Sequence, residues 1–264
     1  MTQTAIITGA SSGIGAAFAR RLAVEGYNLI LHGRREHLLQ SLAQQLQDRH
    51  GVQTSLHLAE LSDPDAVASL ESRVRETDDL AVLVNNAGFS RIEVFHEDDI
   101  NAQEELIRVH VLASVRLAHA AIAPMKRAGG GTIINVSSVA AFTPAPRNAT
   151  YCATKAYLIA FSESLHLELR QYGIRVQVLC PGFTRTDFHD RMGIDTSQPA
   201  FRHFVAPEVV VESSLRALRR GTVLCIPGLG YKAVALGARL MPRRVYYFLA
   251  QHSARHNPVR KTRP

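Results

Sequence analysis

Tyr151 and Lys155 stand four residues apart in a segment, 151–169, that reads as a helix, so both side chains emerge on one face. A lysine cation held there lowers the pKa of a phenol and lets Tyr151 exchange a proton with a substrate oxygen near neutral pH. Ser138 closes the apolar run 132–137 and brings a hydroxyl that can hydrogen-bond the same oxygen. Alone, a Tyr and Lys pair at this spacing is more often surface decoration than chemistry. A second motif gives it context: Thr8, Gly9, Ala10, Ser11, Ser12, Gly13, Ile14 and Gly15 place glycines where an apolar strand turns into a helix. Small residues there let the backbone approach a pyrophosphate, and the helix amides face the anion.

The end of the second apolar run selects between nicotinamide dinucleotides, because an acid there binds ribose hydroxyls and repels a 2′-phosphate. Gly33 occupies that place, and Arg34 and Arg35 follow it. A guanidinium fork suits a phosphate, and basic residues gain nothing from a helix N-terminus. This favours NADP(H) as cofactor, with Arg34 the stronger candidate.

The elements that must position these groups alternate. Short apolar runs at 4–8, 27–31, 52–58, 80–85, 132–137, 174–180 and 223–227 are separated by segments long enough for helices. Among the helices, 35–49 carries Leu38, Leu39, Leu42 and Leu46 on one face, and 98–125 is expected to be one long helix ending near Pro124. The pattern predicts an α/β domain, a doubly wound parallel sheet of the Rossmann kind with helices on both faces. It covers 1–230, followed by a C-terminal helical extension over 231–264.

Composition narrows the function classes. The 264 residues hold no Trp and three scattered cysteines without metal-ligand spacing, so neither a disulfide framework nor a metal site is expected. No apolar run is long enough for a membrane span and the first residues lack a signal-peptide pattern, which makes a cytoplasmic location the expectation. The formal charge of +7 is unevenly spread: 11 of the 30 Lys and Arg, and none of the 23 acids, lie after residue 212. The body is therefore net acidic and carries no groove-reading motif, which argues against nucleic acid as a partner.

The motifs together resemble the short-chain dehydrogenase/reductase family over about residues 4–186. The matching elements are the turn from Thr8 to Gly15, the run Asn85, Asn86, Ala87, Gly88, then Ser138, Tyr151 and Lys155, and Pro181 and Gly182 with Thr186 beyond. The resemblance implies that Tyr151 is the general acid/base, Ser138 positions the carbonyl or hydroxyl, and Lys155 also holds the nicotinamide ribose. It implies that Asn86, Ala87 and Gly88 flank the adenosine, Glu60 and Leu61 lie by the adenine, and the stretch with Pro181, Gly182, Thr184 and Thr186 contacts the nicotinamide. Glu60 stands where the family more often has Asp. His110 stands where it usually places a catalytic Asn that supports a proton relay, and a histidine there would add a titration near pH 6.5. Two readings follow: an oxidoreductase with a modified relay, or a non-catalytic NADP(H)-binding sensor or interaction protein. The family also implies a homo-oligomer built on the helices at 98–125 and 151–169.

Beyond Gly182 the aromatic residues Phe183, Phe188, Phe201 and Phe204 suggest a lipophilic ketone, aldehyde or secondary alcohol as substrate. Farther on, Val234, Leu236, Leu240, Val245, Tyr246, Phe248 and Leu249 are interleaved with Lys232, Arg239, Arg243 and Arg244, and Pro242 divides the run into two short helices. Such a stripe either packs over the substrate cleft or a partner subunit, or makes peripheral contact with a membrane.

Overall fold

The computed structural model describes residues 3–185 and 204–256, the side chains of 253–256 excepted. Seven parallel strands form one sheet in the order β3-β2-β1-β4-β5-β6-β7. They are β1 (Thr4–Ile7), β2 (Asn28–Gly33), β3 (Thr54–Leu58), β4 (Leu80–Asn85), β5 (Gly131–Val136), β6 (Ile174–Leu179) and β7 (Leu224–Cys225). Each crossover is helical: α1 (Gly13–Val24), α2 (Glu36–His50), α3 (Pro64–Arg75), α4 and α5 (Ile100–Ile107 and Ala113–Arg127), α6 (Ala149–Leu169) and α7 (Pro207–Arg219). The expected doubly wound sheet is the observed one.

Alternation along the strands sorts the core into two layers. Ala5, Ile7, Leu29, Leu31, Val82 and Val84 face α1, α2 and α7, while Ile6, Ile30, Leu83, Ile133 and Val176 face α3, α5 and α6. On α2 the buried residues are Leu39, Leu42, Ala43 and Leu46; three of the four leucines read from the sequence are among them, and Leu38 is only partly buried. That helix stops at Gly51, whose φ of 65° lets its amide close on the Gln47 carbonyl.

Two helix expectations are corrected. The helix from Ile100 does not end near Pro124 but runs to Arg127, because Pro124 leaves only one backbone bond unmade and its own carbonyl still accepts from Ala128. It is also not one regular helix: Arg108–Leu112 form a π-turn in which Ala113 N–H reaches back to the Arg108 carbonyl. His110 lies inside that turn.

The extension consists of α8 (Leu229–Leu240) and α9 (Arg243–His256), separated at Pro242 as expected. Ala235 and Ala238 of α8 share a third apolar cluster with Phe142, Ile159, Val178 and Cys180, and Tyr246 of α9 packs against it. The extension therefore covers the body on the side of the loops that follow β5 and β6.

Candidate active site

The strand order reverses direction between β1 and β4, so the loops leaving their carboxyl ends border one crevice. Thr8 ties those loops together: its hydroxyl accepts from the amides of Asn86 (2.9 Å) and Ala87 (3.0 Å) and donates to the Val84 carbonyl at 3.3 Å. The Asn86 side-chain amide returns to the carbonyls of Thr8 and Gly9. Glycines are required here. Gly9 has a φ of 66° and Gly13 of 57°, and a Cβ on Gly9 would lie 2.9 Å from the Ala87 Cα. A Cβ on Gly15 would strike the Gly9 carbonyl oxygen. Ile14, at the start of α1, is partly buried against the core. The turn is thus a close-packed backbone cradle at a helix N-terminus, the form that holds a dinucleotide pyrophosphate.

His32, near the end of β2, supports that cradle. Its Nδ1 accepts from Gly9 N–H at 3.4 Å and its Nε2–H then donates to the Ala59 carbonyl at 3.2 Å. Burial, with His57 nearby, lowers its pKa to about 4, so the ring is neutral and the two contacts persist. Only the pairing of β2 with β1 and β3 brings these groups together, which no local pattern announces.

The two arginines diverge. Arg35 spans the turn, its guanidinium donating to the hydroxyls of Ser11 (2.9 and 3.2 Å) and Ser12 (2.6 Å). Arg34, the expected stronger candidate, is paired with Glu60 at 2.7 Å. Glu60, expected by the adenine, also accepts from Ser62 N–H, and Leu61 beside it is buried in the core. Arg35 thus lies across the glycine turn, while Arg34 is held on a carboxylate.

At the carboxyl end of β5, Ser138 caps a short turn, its Oγ accepting from Ala140 N–H at 3.1 Å, and Val139 N–H bonds the Pro181 carbonyl at 3.0 Å. The Tyr151 hydroxyl is hydrogen-bonded to Ser138. Lys155 follows one turn later on α6, buried, with Nζ donating to the Val136 carbonyl at 3.1 Å and lying 5.7 Å from the Tyr151 ring centroid. Ser137 fixes this turn of α6 by donating to the Lys155 carbonyl at 2.7 Å. The electrostatics differ from expectation. Burial pushes the Tyr151 phenol up to about 12, and the opposing influence is the Ser138 hydrogen bond rather than the lysine, whose Nζ is turned toward β5. Burial also pulls Lys155 down to about 8, so near neutral pH it holds its proton.

His110 is corrected as well. Its Nε2 accepts from Phe89 N–H at 3.1 Å, which leaves the proton on Nδ1, donated to the Thr154 Oγ at 3.0 Å. Thr154 in turn donates to the Tyr151 carbonyl at 2.8 Å. Full burial and the Lys155 charge hold the ring well below pH 6.5, so the expected titration disappears. The ring packs edge-on against Tyr151 at 5.7 Å, and a Cβ on Gly88 would come within 2.9 Å of its Nε2. His110 thus clamps the loop after β4 to the catalytic helix through both ring nitrogens.

Two residues of the extension, missed as site residues, reach this end. The Tyr231 ring lies over Gly182, where any Cβ would strike it, and its hydroxyl accepts from Phe183 N–H at 3.1 Å. Tyr246 donates to the Pro144 carbonyl at 2.7 Å. Thr184 is buried, with its hydroxyl on the Gly182 carbonyl at 3.0 Å. Thr186, Phe188 and Phe201 lie outside the described residues. Cys152, Cys180 and Cys225 are buried free thiols whose pKa values burial raises, so none is poised as a nucleophile.

This constellation has counterparts. The family model described as short chain dehydrogenase matches residues 3–196. A 3-oxoacyl-[acyl-carrier-protein] reductase of Chlamydia trachomatis is 34% identical over 188 residues, 71% of this chain and 76% of its own. A short-chain dehydrogenase from Sphingobium yanoikuyae in complex with NADPH superposes with a TM-score of 0.82 at 33% identity, covering 99% of this chain and 98% of the other. A bulky-bulky ketone specific alcohol dehydrogenase from Comamonas testosteroni gives 0.78 at 29% identity over 99% and 96%. With the glycine cradle, the Asn86 loop and the Ser138, Tyr151 and Lys155 group all set around one parallel sheet, the chain belongs to the short-chain dehydrogenases, oxidoreductases of alcohol and carbonyl groups that bind a nicotinamide cofactor.

Proposed function

We propose that the protein is an NADP(H)-dependent oxidoreductase of lipophilic ketones or aldehydes and the corresponding secondary alcohols. The observation that carries it is the Tyr151 phenol, hydrogen-bonded to Ser138 one helical turn from the buried Lys155 ammonium. The backbone cradle at Gly9, Gly13 and Gly15 fits a dinucleotide pyrophosphate, and Arg35 on Ser11 and Ser12 fits a 2′-phosphate beside it. The bound nicotinamide supplies or accepts the hydride.

The chain's own part is proton transfer and positioning. With its pKa raised to about 12, Tyr151 is protonated, the form needed to donate to the oxygen of a carbonyl being reduced. Ser138 orients that oxygen, and its hydrogen bond to Tyr151 favours the phenolate left behind. Phe183 and Phe204, with ring centroids 6.3 Å apart, give the substrate side an apolar wall, the basis for a lipophilic substrate. The Comamonas protein that shares this fold is described as specific for bulky ketones, which points the same way. Outward Leu112 in the π-turn before α5, with Tyr157 and Leu167 on α6, suits a homo-oligomer.

The test is NADPH oxidation by purified protein against a panel of lipophilic ketones and aldehydes, beside NADPH and NADH binding by fluorescence. Turnover with tighter NADPH binding is expected. A non-catalytic NADP(H) sensor is the second reading, motivated by the His110 clamp in place of a relay. Tight binding without turnover from about pH 5 to 9, with turnover gained by His110→Asn, would establish it instead.

A further inference from the structure

The extension turns its side chains the opposite way from an ordinary surface helix. On α8 the residues that face the body are Tyr231 and the small Ala235 and Ala238, whereas Leu229, Leu236 and Leu240 are 84%, 58% and 75% exposed. Their spacing of seven and four places all three on one line along the helix, ~16 Å long at 1.5 Å per residue. On α9 the same holds: Tyr246 points inward to Pro144, and Val245, Phe248 and Leu249 stand in solvent. A helix that only covers a core buries its large apolar residues and exposes its small ones. Here that order is reversed on two consecutive helices, which leaves their outward apolar residues without a partner among the described residues.

Charge decides what can cover it. From Leu229 to His256 there are five basic residues and no acidic one. Lys232 stands on the same helix as the leucine line, Arg239 sets its guanidinium over the Phe142 ring, and Arg243 and Arg244 open α9. A second copy docking by this face about a two-fold axis would set these cations against themselves, since such an interface pairs one patch with its own copy. An anionic bilayer surface satisfies both features at once: the leucines and Phe248 enter the interfacial region and the cations meet lipid phosphates and carboxylates. The long helix from Ile100 to Arg127 is apolar enough to span a bilayer, but half of its most apolar stretch is buried in the fold, so it offers no competing membrane element.

We propose that the outer face of α8 and α9 is a docking surface for an anionic lipid bilayer, on which the protein lies without crossing. The inference rests on the extension alone and stands or falls independently of substrate or cofactor. It has one structural consequence: Tyr231 and Tyr246 bolt the docked helices to the loops after β6 and β5, so the site sits next to the membrane-bound face.

The experiment is co-sedimentation of the full chain with vesicles of phosphatidylcholine alone or with about 30% phosphatidylglycerol, in about 50 to 500 mM NaCl. Binding to the anionic vesicles is expected, weakening as salt rises, with little binding to the neutral ones. The double substitution Leu236→Asp and Leu240→Asp is expected to weaken it about tenfold or more, and Arg243→Glu with Arg244→Glu to weaken it at low salt and flatten its salt dependence. These side chains are exposed, so an unchanged melting temperature checks that the fold is intact. No binding at low salt would overturn the proposal. So would binding that survives the leucine substitutions, or a soluble oligomer that Leu240→Asp dissociates, since a second copy would then cover the face.

Discussion

Arg34 and Arg35 keep their charges near the surface on partners they can release, Glu60 and the hydroxyls of Ser11 and Ser12. Lys155 and His110, at the other end of the crevice, are 5% and 1% exposed and held by backbone groups and Thr154. The contrast follows the ligand's chemistry. A phosphate brings its own charge and can displace an exposed carboxylate, so the cofactor end gains from cations that remain hydrated and exchangeable. A carbonyl brings no charge until the transition state, so the catalytic end must fix its proton donors in advance, in a site from which water is excluded. Substitutions at the catalytic end should therefore change rate, and those at the cofactor end affinity.

The sharpest test is Tyr151→Phe, which removes only the hydroxyl. Turnover is expected to fall by roughly 10²–10⁴-fold, the usual share of positioned proton transfer, while NADPH affinity stays within about twofold. Retained turnover would remove Tyr151 as the acid. The next effect is on stability. His32 has its pKa lowered from 6.5 to about 4 in the folded protein. As pH falls through that window the unfolded chain takes up a proton that the folded one refuses, so stability present above pH 6.5 is lost toward pH 4, by about 3 kcal/mol for this residue. His110, also lowered, adds loss of the same sign. Urea unfolding at pH 7.5 and 4 should show His32→Gln losing less stability on acidification than the parent; equal losses would mean that His32 is not buried neutral under the glycine turn.

How much of this was legible in the sequence depends on how far apart the causes lie. The strands and α2 could be read because their apolar spacing is local, and the phosphate cradle because Gly9, Gly13 and Gly15 are backbone instructions written in side-chain identity. The π-turn at His110 could not. Its His110 finds partners 21 and 44 residues away, Phe89 and Thr154, while the sequence of α4 and α5 reads as uninterrupted helix. The raised Tyr151 pKa was missed for a related reason: spacing puts Lys155 on the same face, but only the packed structure buries the phenol and turns the lysine Nζ to the Val136 carbonyl. In the extension the apolar stripe was visible and its orientation was not, because Ala235 and Ala238 face inward against the rule that larger side chains are buried first.

Arginine substitutions test the exchangeable half of the comparison. Arg35→Ala removes the guanidinium that already spans Ser11 and Ser12, and NADPH affinity is expected to fall by about 1–3 kcal/mol with NADH nearly unchanged. Arg34→Ala should act in the same direction but less, since part of its interaction with phosphate is offset by the lost pairing with Glu60. Fluorescence titration of both cofactors checks this; equal losses for NADPH and NADH would remove the 2′-phosphate role from either arginine.

The smallest effect is the most discriminating, because it is a gain. Glu60 holds Arg34 at 2.7 Å and places a negative charge where a 2′-phosphate would arrive. Glu60→Gln frees the guanidinium and removes that repulsion, while Gln keeps a side-chain carbonyl to accept from Ser62 N–H as Glu60 does. Both side chains of the pair are substantially exposed, so solvent screens the interaction and the change is modest: NADPH is expected to bind about two- to fivefold tighter, and NADH as before. The gain should shrink as salt rises and vanish in the Arg34→Ala background, which a double-mutant cycle measures directly. Loss of NADPH affinity in Glu60→Gln would instead show that the carboxylate holds Arg34 in its binding position, making the cofactor end as preset as the catalytic one.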